Sequence, residues 1–324
     1  MLHEIMDHFG LSRELRNPPA YFETEQNLQV FKEIRSSVKL GKLIALSGIV
    51  GCGKTVTLRR IQEALREEKE ILVSKSLSVD KARVNLGTLI MALFFDLATE
   101  KSFTLPTQAE KRERKLLDLI KKRKKPVVLF IDEAHDLHGQ TLIGIKRLIE
   151  LVQDGGATLS VVLAGHPKLK NDLRRSSMEE IGSRATIFEL PGIEGHKQEY
   201  ALWLLQQCSK SKTKTEDILT DEAVAVLVEK LRTPLQFEHY MTLAIEEAFR
   251  VGEKPVSADV VSCVLARDIE NVEASLTRQG YNQKALAVLL NLKPAQVRSF
   301  LHGDLSPGRT KELNEELLAS GIPL

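Results

Sequence analysis

Between residues 41 and 190, short apolar runs alternate with longer stretches whose apolar positions recur every three or four residues. The runs are Leu43–Leu46, Ile71–Val73, Val127–Ile131, Leu159–Ala164 and Thr186–Leu190. Such runs predict strands buried on both faces. Their separation by amphipathic stretches predicts a parallel sheet with helices on both sides. Pro191-Gly192 closes the block, and from about 196 to 270 only the helical pattern remains, interrupted by the polar stretch Ser209–Thr215. Residues 271–324 are helical too, punctuated separately by Gly280, Pro294, Gly303, Pro307 and Gly308. Ahead of the alternation lie Asn17-Pro18-Pro19, Tyr21-Phe22 and a polar, helix-like stretch, Glu25–Lys39. The pattern thus divides the chain into an N-terminal segment (1–40), an α/β core (41–195), a helical layer (196–270) and a separate all-α segment (271–324).

The first strand and the helix after it enclose Gly48-Ile49-Val50-Gly51-Cys52-Gly53-Lys54-Thr55, a complete phosphate-binding loop followed by Val56 at the start of the helical stretch. Glycines let the backbone approach a phosphate, successive N–H groups point inward, and the helix dipole favours negative charge. Lys54 is placed to reach the β- and γ-phosphates of ATP, and the Thr55 hydroxyl to ligate Mg²⁺. A helical layer behind such a sheet reads as a lid. Cys52 reads as only a small residue of the loop, the alternative being an exposed thiol that would make the site sensitive to alkylation.

Val127–Ile131 runs straight into Asp132-Glu133, the Walker B form. Asp132 would hold Mg²⁺ through its water shell, and Glu133 would orient the attacking water, since phosphoryl transfer depends mainly on positioning and charge neutralisation. The plainer alternative is a strand-to-helix turn with Asp as N-cap. Asp132-Glu133-Ala134-His135 also spells the signature of one helicase class, whose two motor domains do not fit this length. His135 and His138 are expected on the helix leaving the strand, with no third ligand to make a metal site. The strand Leu159–Ala164 ends at Gly165-His166-Pro167, where His166 would donate a hydrogen bond to the γ-phosphate or the water; otherwise it is a turn histidine. Arg174, Arg175 and Arg184 follow, and Arg184, in Gly182-Ser183-Arg184, is the candidate finger lent to the site of the next subunit, which implies a homo-oligomer.

Composition narrows the partners. Over 324 residues the net charge is only +2, so any nucleic-acid site is a local patch. Three scattered cysteines give neither a disulfide framework nor zinc spacing, and fit a reducing compartment. With no signal-peptide pattern and no apolar stretch of about 18 residues, a cytoplasmic protein with no membrane contact is expected. Two features suggest double-stranded DNA. In the last segment, Gln283–Leu290, the turn Asn291-Leu292-Lys293 and the second helix Ala295–His302, opened by Pro294 and ended by Gly303, form a helix-turn-helix pattern. Leu286, Leu289, Leu292, Val297, Phe300 and Leu301 would make its core, leaving Gln296, Arg298 and Ser299 outward. The alternative is a hairpin for protein contacts. The second feature is the basic run Lys121–Lys125, with Lys101, Lys111, Arg112, Arg114 and Lys115 upstream against Glu110, Glu113 and Asp118. Repeated once per subunit, it would bind phosphates with avidity.

Taken together, the loop Gly48–Thr55, the acidic pair, the tip Gly165-His166-Pro167 and Gly182-Ser183-Arg184 resemble the AAA+ superfamily, in particular the branch of ExeA-type ATPases and the transposition ATPases of the Mu B, TnsC and IstB type. Leu2–Leu11, Pro18-Pro19 and Tyr21-Phe22 also look like the start of ExeA-type proteins, and the resemblance covers roughly residues 1–270. It implies an α/β P-loop NTPase (AAA+) fold, a parallel sheet with helices on both faces and a helical lid, here carrying a helix-turn-helix-like C-terminal segment. It also implies ATP- and Mg²⁺-dependent self-association, an N-terminal segment near the nucleotide with Tyr21 and Phe22 lining the adenine pocket, and DNA or a transposase as partner. One departure concerns the lid arginine that often touches nucleotide in the family: Gln236 stands in its place, with Arg232 nearby as a substitute. The expected activity is ATP hydrolysis in service of transposition. The alternatives are an ExeA-like role in assembling a secretion apparatus without DNA, and a small-molecule kinase, which the acidic pair disfavours.

Overall fold

The computed structural model describes residues 2–16, 18–76, 83–98, 106–265 and 272–322. Among them, five all-parallel strands form one sheet: β1 (Leu43–Ser47), β2 (Leu72–Lys75), β3 (Val127–Ile131), β4 (Leu159–Gly165) and β5 (Ala185–Glu189). Their spatial order is β2-β3-β4-β1-β5. The chain therefore leaves β1, crosses two positions to β2, and returns through β3 to pair β4 beside β1. The register aligns Ser47 with Gly165 and with Glu189, and Ile131 with Leu163. The carboxyl ends of β1, β3 and β4 thus emerge side by side, the edge where open α/β sheets bind ligands.

β1, β3 and β4 are buried at every position, as runs covered on both faces must be. Alternate residues serve the two faces. Leu43, Ala45, Leu129, Ile131, Val161 and Leu163 pack with α4 (Leu86–Leu97), α5 (Ala109–Arg123), α6 (Gly139–Asp154) and α7 (Pro167–Leu173). Ile44, Leu46, Val128, Phe130, Val162 and Ala164 pack with Ile34 of α2 (Glu25–Ser37) and with Leu58, Ile61 and Leu65 of α3 (Lys54–Glu68). The edge strand β5 is only half-buried, and it ends at Glu189, one residue short of the expected Leu190, whose N–H still donates to Ser47 O at 2.8 Å.

A short helix, α8 (Glu179–Gly182), precedes β5, and the lid follows it: α9 (Lys197–Cys208), α10 (Asp221–Lys230), α11 (Pro234–Val251) and α12 (Ala258–Leu265). Their core also takes in Ile5 and Phe9 of α1 (Leu2–Phe9), with Leu11 and Leu15, so the start of the chain packs into the lid's interior. The last part has its own core: α13 (Val272–Arg278), α14 (Gln283–Leu289), α15 (Pro294–His302) and α16 (Pro307–Ala319) gather Leu276, Tyr281, Leu286, Val297, Phe300, Leu313 and Leu317. It docks on the α/β core through backbone and side-chain bonds. Val50 N donates to Arg278 O at 2.9 Å, Lys168 N to Gln279 O at 3.1 Å, and Asn171 Nδ2 to the Tyr281 hydroxyl at 2.9 Å.

Phe9 is fully buried, so Phe9→Ala should cost about 3–5 kcal/mol of the lid's stability. Urea denaturation should register that loss, whereas truncating the exposed Leu2 should be near neutral.

Candidate nucleotide site

The phosphate loop uses glycine where nothing else fits. Gly51 has φ of 80° and Gly53 of 102°, and a Cβ on Gly51 would come within 2.6 Å of Leu235 Cβ and 2.9 Å of Thr233 Oγ1. The start of α11 therefore sits directly on the loop. Lys54 is buried, and its ammonium donates to Gly48 O and Ile49 O, each at 2.9 Å. Cys52 is buried as well, and burial raises its thiol pKa. Cys52 thus serves as a small buried residue of the loop, and the alternative of an exposed, alkylation-sensitive thiol does not hold.

Across the strand tips, Thr55 Oγ1 donates to Asp132 Oδ2 at 2.7 Å, while Asp132 Oδ1 accepts from Glu133 N at 2.9 Å. The hydroxyl and carboxylate come from segments 77 residues apart yet share one point, an all-oxygen pair suited to a hydrated Mg²⁺. Glu133 lies in the left-handed region (φ 54°), an uncommon conformation for a residue with a side chain, and its carboxylate is about half exposed beside the pair. His166, at the tip of β4, holds Nε2 3.7 Å from Glu133 Oε2.

The second histidine here is His135. Its Nδ1 is 3.5 Å from Glu133 Oε2, and its ring lies 3.8 Å from that of His166, centroid to centroid. The expectation that His135 and His138 share a helix is corrected. Residues Ala134–Asp136 form a single 3-10 turn, α6 begins only at Gly139, and His138 faces solvent. The left-handed Glu133 reverses the chain and turns His135 inward. Burial is the main cause that lowers both imidazoles from the usual 6.5 to about 4. Lys168 and then Lys54 add to it at His135, and the neighbouring imidazole and then Lys54 at His166. Both rings are therefore neutral at pH 7.

Next to Gly53 and Val56 opens a cavity of about 480 Å³ walled by Tyr21, Phe22, Arg60, Tyr200 and Trp203. The Arg60 guanidinium lies 4.0 Å from the Tyr21 ring centre, and Phe22 packs 5.3 Å from both Tyr200 and Trp203. Tyr200 donates to Glu238 Oε1 at 3.0 Å; burial raises the phenol's pKa and the Glu238 carboxyl's alike. Asn27 is buried at the pocket wall, donating to Gly192 O, and its Oδ1 has no hydrogen-bond partner among the described residues. Its aromatic walls fit a flat ring such as a purine base. Sequence reasoning missed Asn27, Arg60, Tyr200 and Trp203. Trp203, the chain's one tryptophan, was the available signal.

Other candidates lie elsewhere. Arg184 precedes β5 at the edge of the sheet opposite the phosphate loop, since Ala185 aligns with Leu43, and it is ion-paired with Glu150 of α6. It does not reach the site of its own chain. Gln236, taken as the stand-in for a lid arginine, is a capping residue instead. Its Oε1 accepts from Arg232 N at 2.8 Å and Thr233 N at 3.1 Å, and Thr233 Oγ1 accepts from Gln236 N, a reciprocal box that starts α11. Two of the basic run's cations are also structural: Arg123 donates to Leu97 O at the end of α4, and Lys125 to Lys69 O at the end of α3. Lys111, Arg114, Lys115, Lys121, Lys122 and Lys124 are exposed, and Lys101 lies outside the described residues. In the terminal part Arg298 is exposed, Ser299 half-buried, and Gln296 Oε1 caps α15 by accepting from Lys293 N.

Comparison with known proteins agrees with this architecture. Residues 38–173 match the AAA domain family. Over 191 residues the chain is 28% identical to General secretion pathway protein A of Aeromonas hydrophila; the match covers 55% of this chain and 33% of that protein, so it spans about a third of the relative's length. The structure superimposes on the Aeropyrum pernix ORC2 protein, solved as ADPNP-ADP complexes, with a TM-score of 0.55 at 14% identity, covering 93% of this chain and 82% of the other. It superimposes on Drosophila ORC bound to DNA with a TM-score of 0.55 at 16% identity, covering 98% and 83%. The fold is that of AAA+ P-loop NTPases, and among the described residues no helix is long and apolar enough to cross a membrane.

The histidine pair has a pH consequence. Both folded-state values lie below the unfolded 6.5, so the unfolded chain binds more protons between pH 6.5 and about 4. The stability this confers is fully present above pH 6.5 and falls as pH drops through that window, by at most about 1.4 kcal/mol per pH unit for each ring. Thermal melts at pH 7 and pH 5 should differ more in the native protein than in His166→Asn.

Proposed function

We propose that this protein is an ATP-hydrolysing AAA+ ATPase that self-associates with ATP on double-stranded DNA and selects target sites for a transposase. The observation that carries the nucleotide reading is the 2.7 Å bond between Thr55 and Asp132, with Lys54 and Glu133 at the same strand tips. In this reading the ring of adenine enters the cavity of Tyr21, Phe22 and Trp203. Lys54 exchanges its two carbonyl contacts for the β- and γ-phosphates. Thr55 and Asp132 would hold Mg²⁺, which when bound neutralises phosphate charge. Glu133 orients the attacking water through its exposed carboxylate, and His166, held neutral, can donate to the γ-phosphate or that water without adding charge. The place of Arg184 on the far edge suits a finger given in trans: joining subunits would trade Glu150 for the phosphates of the neighbour, which ties hydrolysis to assembly.

The DNA part rests on the terminal helix pair α14–α15 with its exposed Arg298, on the exposed lysines of α5, and on likeness in fold to a structure solved bound to DNA. The contact between Val50 N and Arg278 O gives this reader a direct mechanical link to the phosphate loop. A second reading, an ATPase that assists a secretion apparatus without DNA, is favoured by the relative in Aeromonas hydrophila. Retention on duplex DNA separates the two. The first requires ATP-dependent binding that weakens steeply with salt and stimulation of a transposase supplied in the same assay; no DNA affinity at low salt with ATP present would favour the second.

Four variants sharpen the assignment. Lys54→Ala should lose ATP binding by calorimetry. Glu133→Gln should bind ATP normally, turn over at least about a hundredfold more slowly and accumulate as assembled particles. Arg184→Ala should be inactive alone and regain activity when mixed with Lys54→Ala, and an additive null in the mixture would rule out a shared site. Arg298→Ala should weaken DNA binding and lower the salt slope by about 1.

A further inference from the structure

The tips of β3 and β4 hold a donor set that the nucleotide reading uses only in part. Glu133, His135 and His166 each place one potential ligand atom within 4.8 Å of the other two, the one such group among the described residues. Glu133 Oε2 stands 3.5 Å from His135 Nδ1 and 3.7 Å from His166 Nε2. A tetrahedral Zn²⁺ with bonds of about 2.0–2.1 Å needs donors roughly 3.3–3.4 Å apart, so these two edges require a contraction of only a few tenths of an ångström. His135 Nδ1, the donor atom on this side, is also buried with no hydrogen-bond partner among the described residues. Buried ring nitrogens without partners are costly unless something takes their lone pairs. The carboxylate edge is half exposed, which leaves a path for an ion to enter and a fourth position for water.

We propose that Glu133, His135 and His166 form a binding site for a Zn²⁺-class transition metal, distinct from the all-oxygen pair Thr55 and Asp132. Two imidazoles and one carboxylate select this class over Mg²⁺, which takes oxygen ligands and keeps its waters. Resting on the ATPase reading, a consequence follows: with its carboxylate on the metal, Glu133 can no longer orient water, so the bound ion stops hydrolysis and leaves nucleotide affinity intact.

The test uses the full chain without nucleotide, in millimolar Mg²⁺, titrated with Zn²⁺ against a chromogenic chelator. One equivalent should bind, and Co²⁺ should give the visible absorption bands of a four-coordinate site that Zn²⁺ then bleaches. His135→Gln, His166→Gln and Glu133→Gln should each weaken binding by about 100-fold or more, since even outer partners of metal ligands are worth 10–100-fold. His138→Gln should bind as the native chain does. Lys54→Ala, lacking nucleotide, should retain the metal, so failure of the site and failure of the ATPase reading give different results. Circular dichroism checks that each variant is folded. Native-like Zn²⁺ affinity in all three ligand variants, or no stoichiometric binding by the native chain, would overturn the proposal. Added Zn²⁺ should slow ATP turnover at unchanged ATP affinity, and parallel loss of both would overturn the consequence drawn for Glu133.

Discussion

Pairing of β4 between β1 and β3 is the constraint on which the site depends. Parallel register aligns Ser47 with Gly165 and Ile131 with Leu163, so three loops far apart in sequence leave the sheet at one edge. The phosphate loop follows the first, the acidic pair the second and His166 the third. Complete burial of these strands makes slippage costly, because a shift of one residue would exchange the faces packed by α3 and by α6. The 2.7 Å bond between Thr55 and Asp132 is the local expression of that register.

Around this edge the environment is tuned by burial more than by charge pairs. Lys54 is withdrawn from solvent but supplied with two carbonyl acceptors, which avoids an unpaired buried charge. His135 and His166 are held neutral by desolvation and by nearby cations. The left-handed backbone of Glu133 is the strained element that makes this possible, since it sends the chain back and brings His135 under the strand tip.

The helical layer and the terminal all-α segment both lean on the same loop. The lid touches it through the start of α11 at Gly51, and the terminal helices touch it through Arg278 O at Val50. A change in the loop is thus felt in both, by contact and not by distant coupling. The lid also absorbs α1, whose Phe9 lies far from α11 in sequence but inside the same core.

The pattern of apolar runs and amphipathic stretches was enough to determine the α/β class, all five strands to within a residue or two, the lid and the helix-turn-helix pair, because burial on two faces and on one stripe leave different periods. The glycine-rich turn before Thr55 and the pair Asp132-Glu133 stood out for a similar reason: each is a contiguous string, visible without any knowledge of the packing. What the chain could not announce is what comes from convergence of distant segments. The cavity beside Gly53 joins Asn27, Arg60, Tyr200 and Trp203 from three separate elements. The pairing of His135 with His166 depends on strand order, and Gln236 became a helix cap through contacts three and four residues away that compete with any reach towards phosphate. Local spacing carries secondary structure and contiguous motifs; only the packed sheet decides which side chains from remote positions share a cavity, since that follows from register and burial, which no single stretch of the chain contains.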